Sequence, residues 1–202
     1  VNASAFDPAL LADECCLLLD SGEREQLPVR RWNGEPDAAD VLMLDRCLGP
    51  TLDVGCGPGR MTRALTVRGT AAIGIDTSGV AARMTAERGG FVMRRSVFER
   101  IPGEGSWRHV LLADGNVGIG GDPVSLFGRI HQLLAHGGSA VVELQPPGIG
   151  VRCRRGSIRG GSWFRWAHVG MDAVDGIAET AGFRTGWTAH RDDRWFAELI
   201  RI

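Results

Sequence analysis

The run LDVGCGPGR at residues 52–60 constrains this chain more than any other segment. Glycines 55, 57 and 59 stand where an apolar strand, TLDV, gives way to a helical pattern, so the chain must turn sharply there with its backbone open to a close neighbour. Glycine permits the positive φ such a turn needs and puts no Cβ in a ligand's way, and the helix beyond presents unpaired N–H groups. The glycine spacing is G-x-G-x-G, whereas dinucleotide-binding loops use G-x-G-x-x-G. Asp53 adds to the difference, because a carboxylate repels a pyrophosphate but pairs with a cationic amino group. The turn therefore suits a ligand with an amino-acid end. A plain tight turn, the bland alternative, has no need of three alternating glycines behind an acid.

Around this turn, short strands and helices alternate, the pattern of a parallel sheet covered on both faces. Strands are predicted at 51–54, 71–76, 91–93, 109–114 and 139–144, with helices over 60–67, 78–88 and 123–135 and Gly137-Gly138 as the last helix stop. A helix over 171–182 leads to two strand-like runs, 183–190 and 194–202, joined at Arg191-Asp192-Asp193 as a hairpin. This makes a seven-stranded sheet whose last pair is antiparallel. Ahead of it, residues 7–20 and 37–48 read as helices joined by a polar loop, with Asp7 as a cap and Pro8 in the first turn. Residues 146–170, rich in Gly, Pro, Arg and Trp, show no periodicity and read as a long loop. The expected organisation is one domain over 1–202. Within it, 1–49 forms a helical cap, 50–145 the ligand-binding core, 146–170 a substrate-side loop and 171–202 the closing helix and hairpin.

A length of 202 residues supports one good core, and 44% hydrophobic with 23% charged residues is globular composition. The net charge of −1 supplies no general field for a polyanion. All 23 basic residues are arginine and tyrosine is absent, which excludes a lysine Schiff base and a tyrosine acid. The five cysteines have neither disulfide-framework nor metal-site spacing, so no metal is expected and a reducing cytoplasm fits. No apolar run has the length of a membrane span, so no membrane association is expected.

Asp76 ends the second strand 21 residues after Gly55, where an α/β sheet can set a carboxylate against a ribose diol. It could equally cap the helix that follows. Together, LDVGCGPGR and GIDTS (74–78) resemble the first two motifs of class I S-adenosyl-L-methionine-dependent methyltransferases. The strand order over roughly residues 50–145 and the closing hairpin are similar as well. The resemblance implies a Rossmann-like α/β fold and S-adenosylmethionine as cofactor, with S-adenosylhomocysteine as product. By the same resemblance Gly55, Cys56, Gly57 and Gly59 line the methionine and ribose parts, Asp53 helps to hold the amino group, and Asp76 with Thr77 meets the ribose. Ser96 stands where many members carry an acid for adenine, leaving its hydroxyl and the Val97 N–H as contacts. LLADGNVGIGGDP (111–123) resembles a fourth motif of small actinobacterial-type members, which turns Asp114, Gly115 and Asn116 toward the cofactor or the transfer cleft. Asp-Gly-Asn is also ordinary turn chemistry.

Among the histidines only His168 is a candidate base, since its loop follows the fifth strand, where open α/β sheets present ligands. Trp163, Phe164 and Trp166, interleaved with Arg152, Arg154, Arg155, Arg159 and Arg165, read as an aromatic lid touching substrate. Trp32, with Arg30 and Arg31, covers the cleft from the other side if the N-terminal segment sits as it does in this family. The chain is thus expected to methylate an O, N or C nucleophile of a small-molecule acceptor, as a monomer or homodimer. No N/D-P-P-Y/F/W motif follows the fourth strand, which disfavours a nucleic-acid substrate. An RNA methyltransferase, a non-catalytic S-adenosylmethionine-binding protein and an NAD-linked oxidoreductase are the alternatives.

Overall fold

The computed structural model describes residues 5–202, so residues 1–4 of the expected N-terminal cap lie outside it. Strands β3 (Thr51–Val54), β4 (Ala72–Asp76), β5 (Val92–Arg94), β6 (Trp107–Leu112) and β7 (Leu134–Leu144) pair in parallel. The hairpin of β10 (Phe183–Arg191) and β11 (Arg194–Arg201) adds to β7 antiparallel. The sheet order is β10-β11-β7-β6-β3-β4-β5, which is the expected seven-stranded, mostly parallel α/β sheet. The chain leaves β3 toward β4 and β5 and returns to β6 on the other side. The gap where the order reverses, at the carboxyl ends of β3 and β6, is where such sheets form a crevice.

Both faces of this sheet are covered, which is why its strands read as nearly unbroken apolar runs. On one face Leu52, Val110 and Val142 pack with Phe127 of α6 (Pro123–Leu133) and Ile177 of α7 (Val174–Thr180). On the other, Leu111, Val141 and Phe196 pack with Met43 of α3 (Ala38–Leu44) and Leu65 of α4 (Arg60–Val67). Asp37 caps α3 with a capping box closed by Asp40, and Ser78 caps α5 (Gly79–Glu87). None of the described helices is long and apolar enough to cross a membrane.

Most departures from expectation gather in one place. The helix expected over 7–20 is only α1, Asp7–Leu10, and residues 15–19 form strand β1 (Cys15–Leu19). The expected loop at 21–36 holds strand β2 (Arg24–Leu27) and helix α2 (Val29–Asn33). The expected loop at 146–170 is a hairpin, β8 (Val151–Ile158) and β9 (Phe164–Val169). These strands form a second sheet in the order β2-β1-β8-β9, with Leu17 paired to Glu25 on one side and to Ile158 on the other. Cys15, Leu17 and Leu19 are buried while Cys16 is exposed. Pairing with a partner about 140 positions away thus overrides the helical spacing of the same apolar run. Asp7 does not cap α1; its carboxylate accepts from the Ser78 hydroxyl. Gly137-Gly138 does not stop α6, which ends at Leu133; the pair lies in β7 beside a register irregularity opposite Trp107 and His109.

Candidate functional site

Between the carboxyl ends of the parallel strands and the second sheet lies a cavity of about 280 Å³. Asp53, Gly55, Cys56, Gly57, Asp76, Thr77, Ser96, Val97, Asp114, Gly115 and Asn116 all border it, so residues spread over 64 positions are brought to one wall. Gly59 does not border it, although it belongs to the same turn.

The three turn glycines adopt positive φ of 70°, 52° and 85° in chain order, but for different neighbours. A Cβ on Gly59 would come within 2.7 Å of Thr85, and one on Gly55 within 2.7 Å of the Asn116 amide nitrogen. A Cβ on Gly57 would meet nothing closer than the Gly55 carbonyl at 4.0 Å. Gly59 therefore serves close packing of α4 on α5, and Gly57 is the glycine whose open side adjoins the cavity. Asn116 braces the turn, its amide donating to the carbonyls of Val54 and Gly55 at 2.9 Å each.

The acids of this wall are held firmly. Asp76 accepts from the backbone N–H of Ser78 at 2.8 Å and of Gly57 at 3.1 Å. It therefore ties β4 to the turn and leaves the capping of α5 to Ser78. Burial raises its pKa in spite of those two bonds. Asp53 is 2% exposed and accepts from the Thr62 hydroxyl at 2.6 Å; burial pushes its pKa up to about 6. Burial also pushes the Cys56 thiol well above its ordinary range, so it is no nucleophile. At the far end the Val97 N–H has no hydrogen-bond partner among the described residues.

Behind Asp53 runs an ionic network that the sequence did not announce. Arg60 pairs with Asp40 and, at 2.5 Å, with Asp114. Arg31 donates to Asp114 at 2.9 Å, and Arg194 contacts Asp37, Asp40 and Glu143 at 2.8–3.0 Å. The Asp114 N–H closes the network on Glu143 at 2.7 Å. Asp114 therefore spends its carboxylate on two arginines. Burial would raise the pKa of Asp40, yet Arg60 and Arg194 hold it below the carboxylate range. One signal was present: Glu143 sits in the apolar strand SAVVEL, where a charge is out of place without a partner.

The opposite wall comes from the second sheet and the N-terminal segment. Trp32 and Trp166 line it with Phe6, whose ring lies 6.3 Å and 5.4 Å from theirs. Trp163 and Phe164 do not reach the cavity: Trp163 is 44% exposed under Arg155, and Phe164 is buried behind Phe6. The alternation of a strand explains this, since Phe164 and Trp166 share a face but only the latter overlies the opening. Arg31 borders the cavity, while Arg30 turns out to solvent beside Glu14. His168 lines it too, with Nε2 3.0 Å from Oε2 of Glu25, a residue the sequence did not single out.

Known proteins share this fold. Residues 52–142 match a family described as a methyltransferase domain. No curated protein matches the chain in sequence. An S-adenosylmethionine-dependent methyltransferase from Bacteroides fragilis, solved with S-adenosyl-L-homocysteine, is similar with a TM-score of 0.77 and 18% identity, covering 99% of this chain and 93% of its own. Magnesium protoporphyrin IX methyltransferase from Synechocystis, solved with S-adenosylmethionine, is similar with a TM-score of 0.61 and 14% identity over 86% of this chain and 89% of its own. The 1,6-didemethyltoxoflavin-N1-methyltransferase of Burkholderia thailandensis gives 0.59 and 16% over 75% and 70%. The chain thus has the fold of the class I S-adenosylmethionine-dependent methyltransferases, and its residues 52–142 are similar to the methyltransferase-domain family.

Proposed function

We propose that the chain transfers a methyl group from S-adenosylmethionine to an O, N or C nucleophile of a small molecule and releases S-adenosylhomocysteine. The observation that carries this reading is the open side of Gly57 on a cavity that Asp53, Asp76 and the unpaired Val97 N–H also border. These groups fit the parts of the cofactor: Asp53 its ammonium, Gly55 and Gly57 its methionine chain, Asp76 with Thr77 its ribose hydroxyls, and Ser96 with Val97 its adenine. Cys56, Gly115 and Asn116 supply close surface around it, and Asp114 acts through the arginines it holds. When bound, the cofactor supplies a methyl group made electrophilic by its sulfonium. The chain's own task is to set the nucleophile in line and keep water from the cavity, mainly a positioning effect. The walled cavity and its aromatic side support a small acceptor, and the neighbours named for 1,6-didemethyltoxoflavin and magnesium protoporphyrin IX agree.

A second reading, methylation of RNA, is favoured by one observation. Arg152, Arg154, Arg155 and Arg165 are all exposed on β8–β9, in a stretch with no acid from 144 to 171. RNA binding that fell steeply with salt would establish it. The main reading is tested by calorimetric titration with S-adenosylhomocysteine of the wild type, Asp76→Ala and Gly57→Val. Saturable binding is expected in the wild type and loss in both variants; no binding by folded wild type overturns the proposal.

A further inference from the structure

The His168–Glu25 pair is an ionisable constellation of the cavity that the cofactor reading leaves unused. It joins β9 to β2, the two edge strands of the second sheet. β9 is fixed over the carboxyl ends of the parallel strands by two bridges, Ile119 to Trp166 and Gln145 to Gly170, and by the Gln145 N–H donating to Val169 at 2.8 Å. Ile119 ends the 3-10 turn Asn116–Gly118, whose Asn116 grips the glycine turn. His168 is therefore carried, two residues beyond Trp166 on the same strand face, by the same framework that shapes the turn.

The Glu25 carboxylate, 3.0 Å from Nε2, favours a hydrogen on that nitrogen by its charge and so the tautomer with a lone pair on Nδ1. Nδ1 of His168 has no hydrogen-bond partner among the described residues. The cavity that His168 lines has an apolar, aromatic side made by Trp166, Trp32 and Phe6 with Leu17 and Leu27. An imidazole takes a proton from a phenol, acidic near about 10, far more readily than from an aliphatic alcohol. A neutral amine can attack before it loses its proton.

Resting on the methyltransferase reading, we propose that His168 is the base for an aromatic hydroxyl acceptor, oriented by Glu25 as a positioning residue. The acceptor ring lies against the Trp166, Trp32 and Phe6 wall. Its O–H bond breaks toward Nδ1 as the oxygen pair forms the O–CH3 bond, and the electrons of the S–CH3 bond return to sulfur. The imidazolium formed is stabilised by the Glu25 carboxylate until it gives its proton to solvent.

The test uses the protein saturated with S-adenosylhomocysteine and two probes, 2-naphthol and 2-methoxynaphthalene, followed by tryptophan fluorescence. The naphthol should bind roughly tenfold tighter than its ether, the value of one good hydrogen bond. His168→Ala should erase that preference, and His168→Gln should retain part of it, both with unchanged S-adenosylhomocysteine affinity. Imidazole ¹⁵N NMR of the wild type should show His168 protonated at Nε2, and Glu25→Ala should give mixed tautomers. Equal binding of the two probes, a preference that survives His168→Ala, or a ring protonated at Nδ1 overturns the proposal. Failure of the wild type to bind S-adenosylhomocysteine would instead overturn the methyltransferase reading beneath it.

Discussion

At the carboxyl ends of β3 and β6 the cavity wall is backbone turned by glycine and braced by buried ions, whereas the facing wall is aromatic side chains carried on a four-stranded sheet. The first wall has few side chains to exchange. Its shape is set by Gly55, Gly57 and Asp76, and its rigidity by Asn116 and the arginine network. The second wall is almost entirely side chain, and each ring can be replaced without disturbing a parallel strand. A wall of the first kind suits a ligand that never changes, and one of the second kind suits a ligand that differs from enzyme to enzyme. Substitutions on the two walls should accordingly fail in different ways.

The largest effect is expected beneath the backbone wall. Arg194→Met leaves Asp40 and Glu143 buried with one cationic partner fewer, and removing one side of such a pair costs about 3–5 kcal/mol. Urea unfolding should show the loss; a variant within 1 kcal/mol of wild type, about the error of such a comparison, would mean the network is decoration. Next comes Gly59→Ala, which joins left-handed strain to a Cβ 2.7 Å from Thr85, together about 2–4 kcal/mol. Gly57→Ala carries the strain without the clash and should lose about 1–2 kcal/mol. Calorimetry should nevertheless find it the poorer binder of S-adenosylhomocysteine. Equal stability losses at the two positions would erase the distinction drawn between them.

The same division explains what could be read from the chain. Parallel strands buried on both faces must be nearly continuous apolar runs, and the helices between them keep the 3.6 period, so β3 to β7 and their helices are legible locally. Asp53, Gly55, Gly57 and Asp76 are legible for a related reason: each stands at a strand end, where only a turn or a ligand accounts for it. The second sheet has no such local signature. Its β1 is a five-residue apolar run that fits helix or strand equally, and Val151–Ile158 carries arginines on both faces because its outer half is solvated. What makes them strands is a pairing between distant segments. The ionic network is hidden in the same way, since Arg194 finds Asp40 across 154 positions. Spacing rules see neighbours in sequence, and these groups are neighbours only in the fold.

An effect of about 3 kcal/mol, spread over pH, also separates the walls. Burial raises the pKa of Asp53 to about 6 in the folded chain, while an unfolded aspartate titrates near about 4. Between those values the folded state binds more protons than the unfolded one, so this residue makes stability fall as pH rises from about 4 to 6. Asp53→Asn removes that slope and should gain on the wild type with rising pH. Parallel curves for the two proteins from pH 4 to 7 would show that folding does not raise the pKa of Asp53. His168→Ala, on the other wall, leaves Asp53 and its titration in place.

The smallest effect is expected from Trp163, and it tests where the aromatic wall ends. Trp163 and Trp166 are three residues apart on one hairpin and were equal candidates for substrate contact. Strand alternation and the bridge to Ile119 turn Trp166 to the cavity, while Trp163 stays 44% exposed against Arg155. Trp163→Ala should shift stability by no more than about 0.5 kcal/mol, as surface changes do, and leave 2-naphthol binding intact. Trp166→Ala should weaken that binding severalfold, because it removes a face against which the ring packs. If Trp163→Ala weakened binding as much, the acceptor would extend beyond the cavity along the arginine-bearing hairpin, and the side-chain wall would include the exposed face of β8.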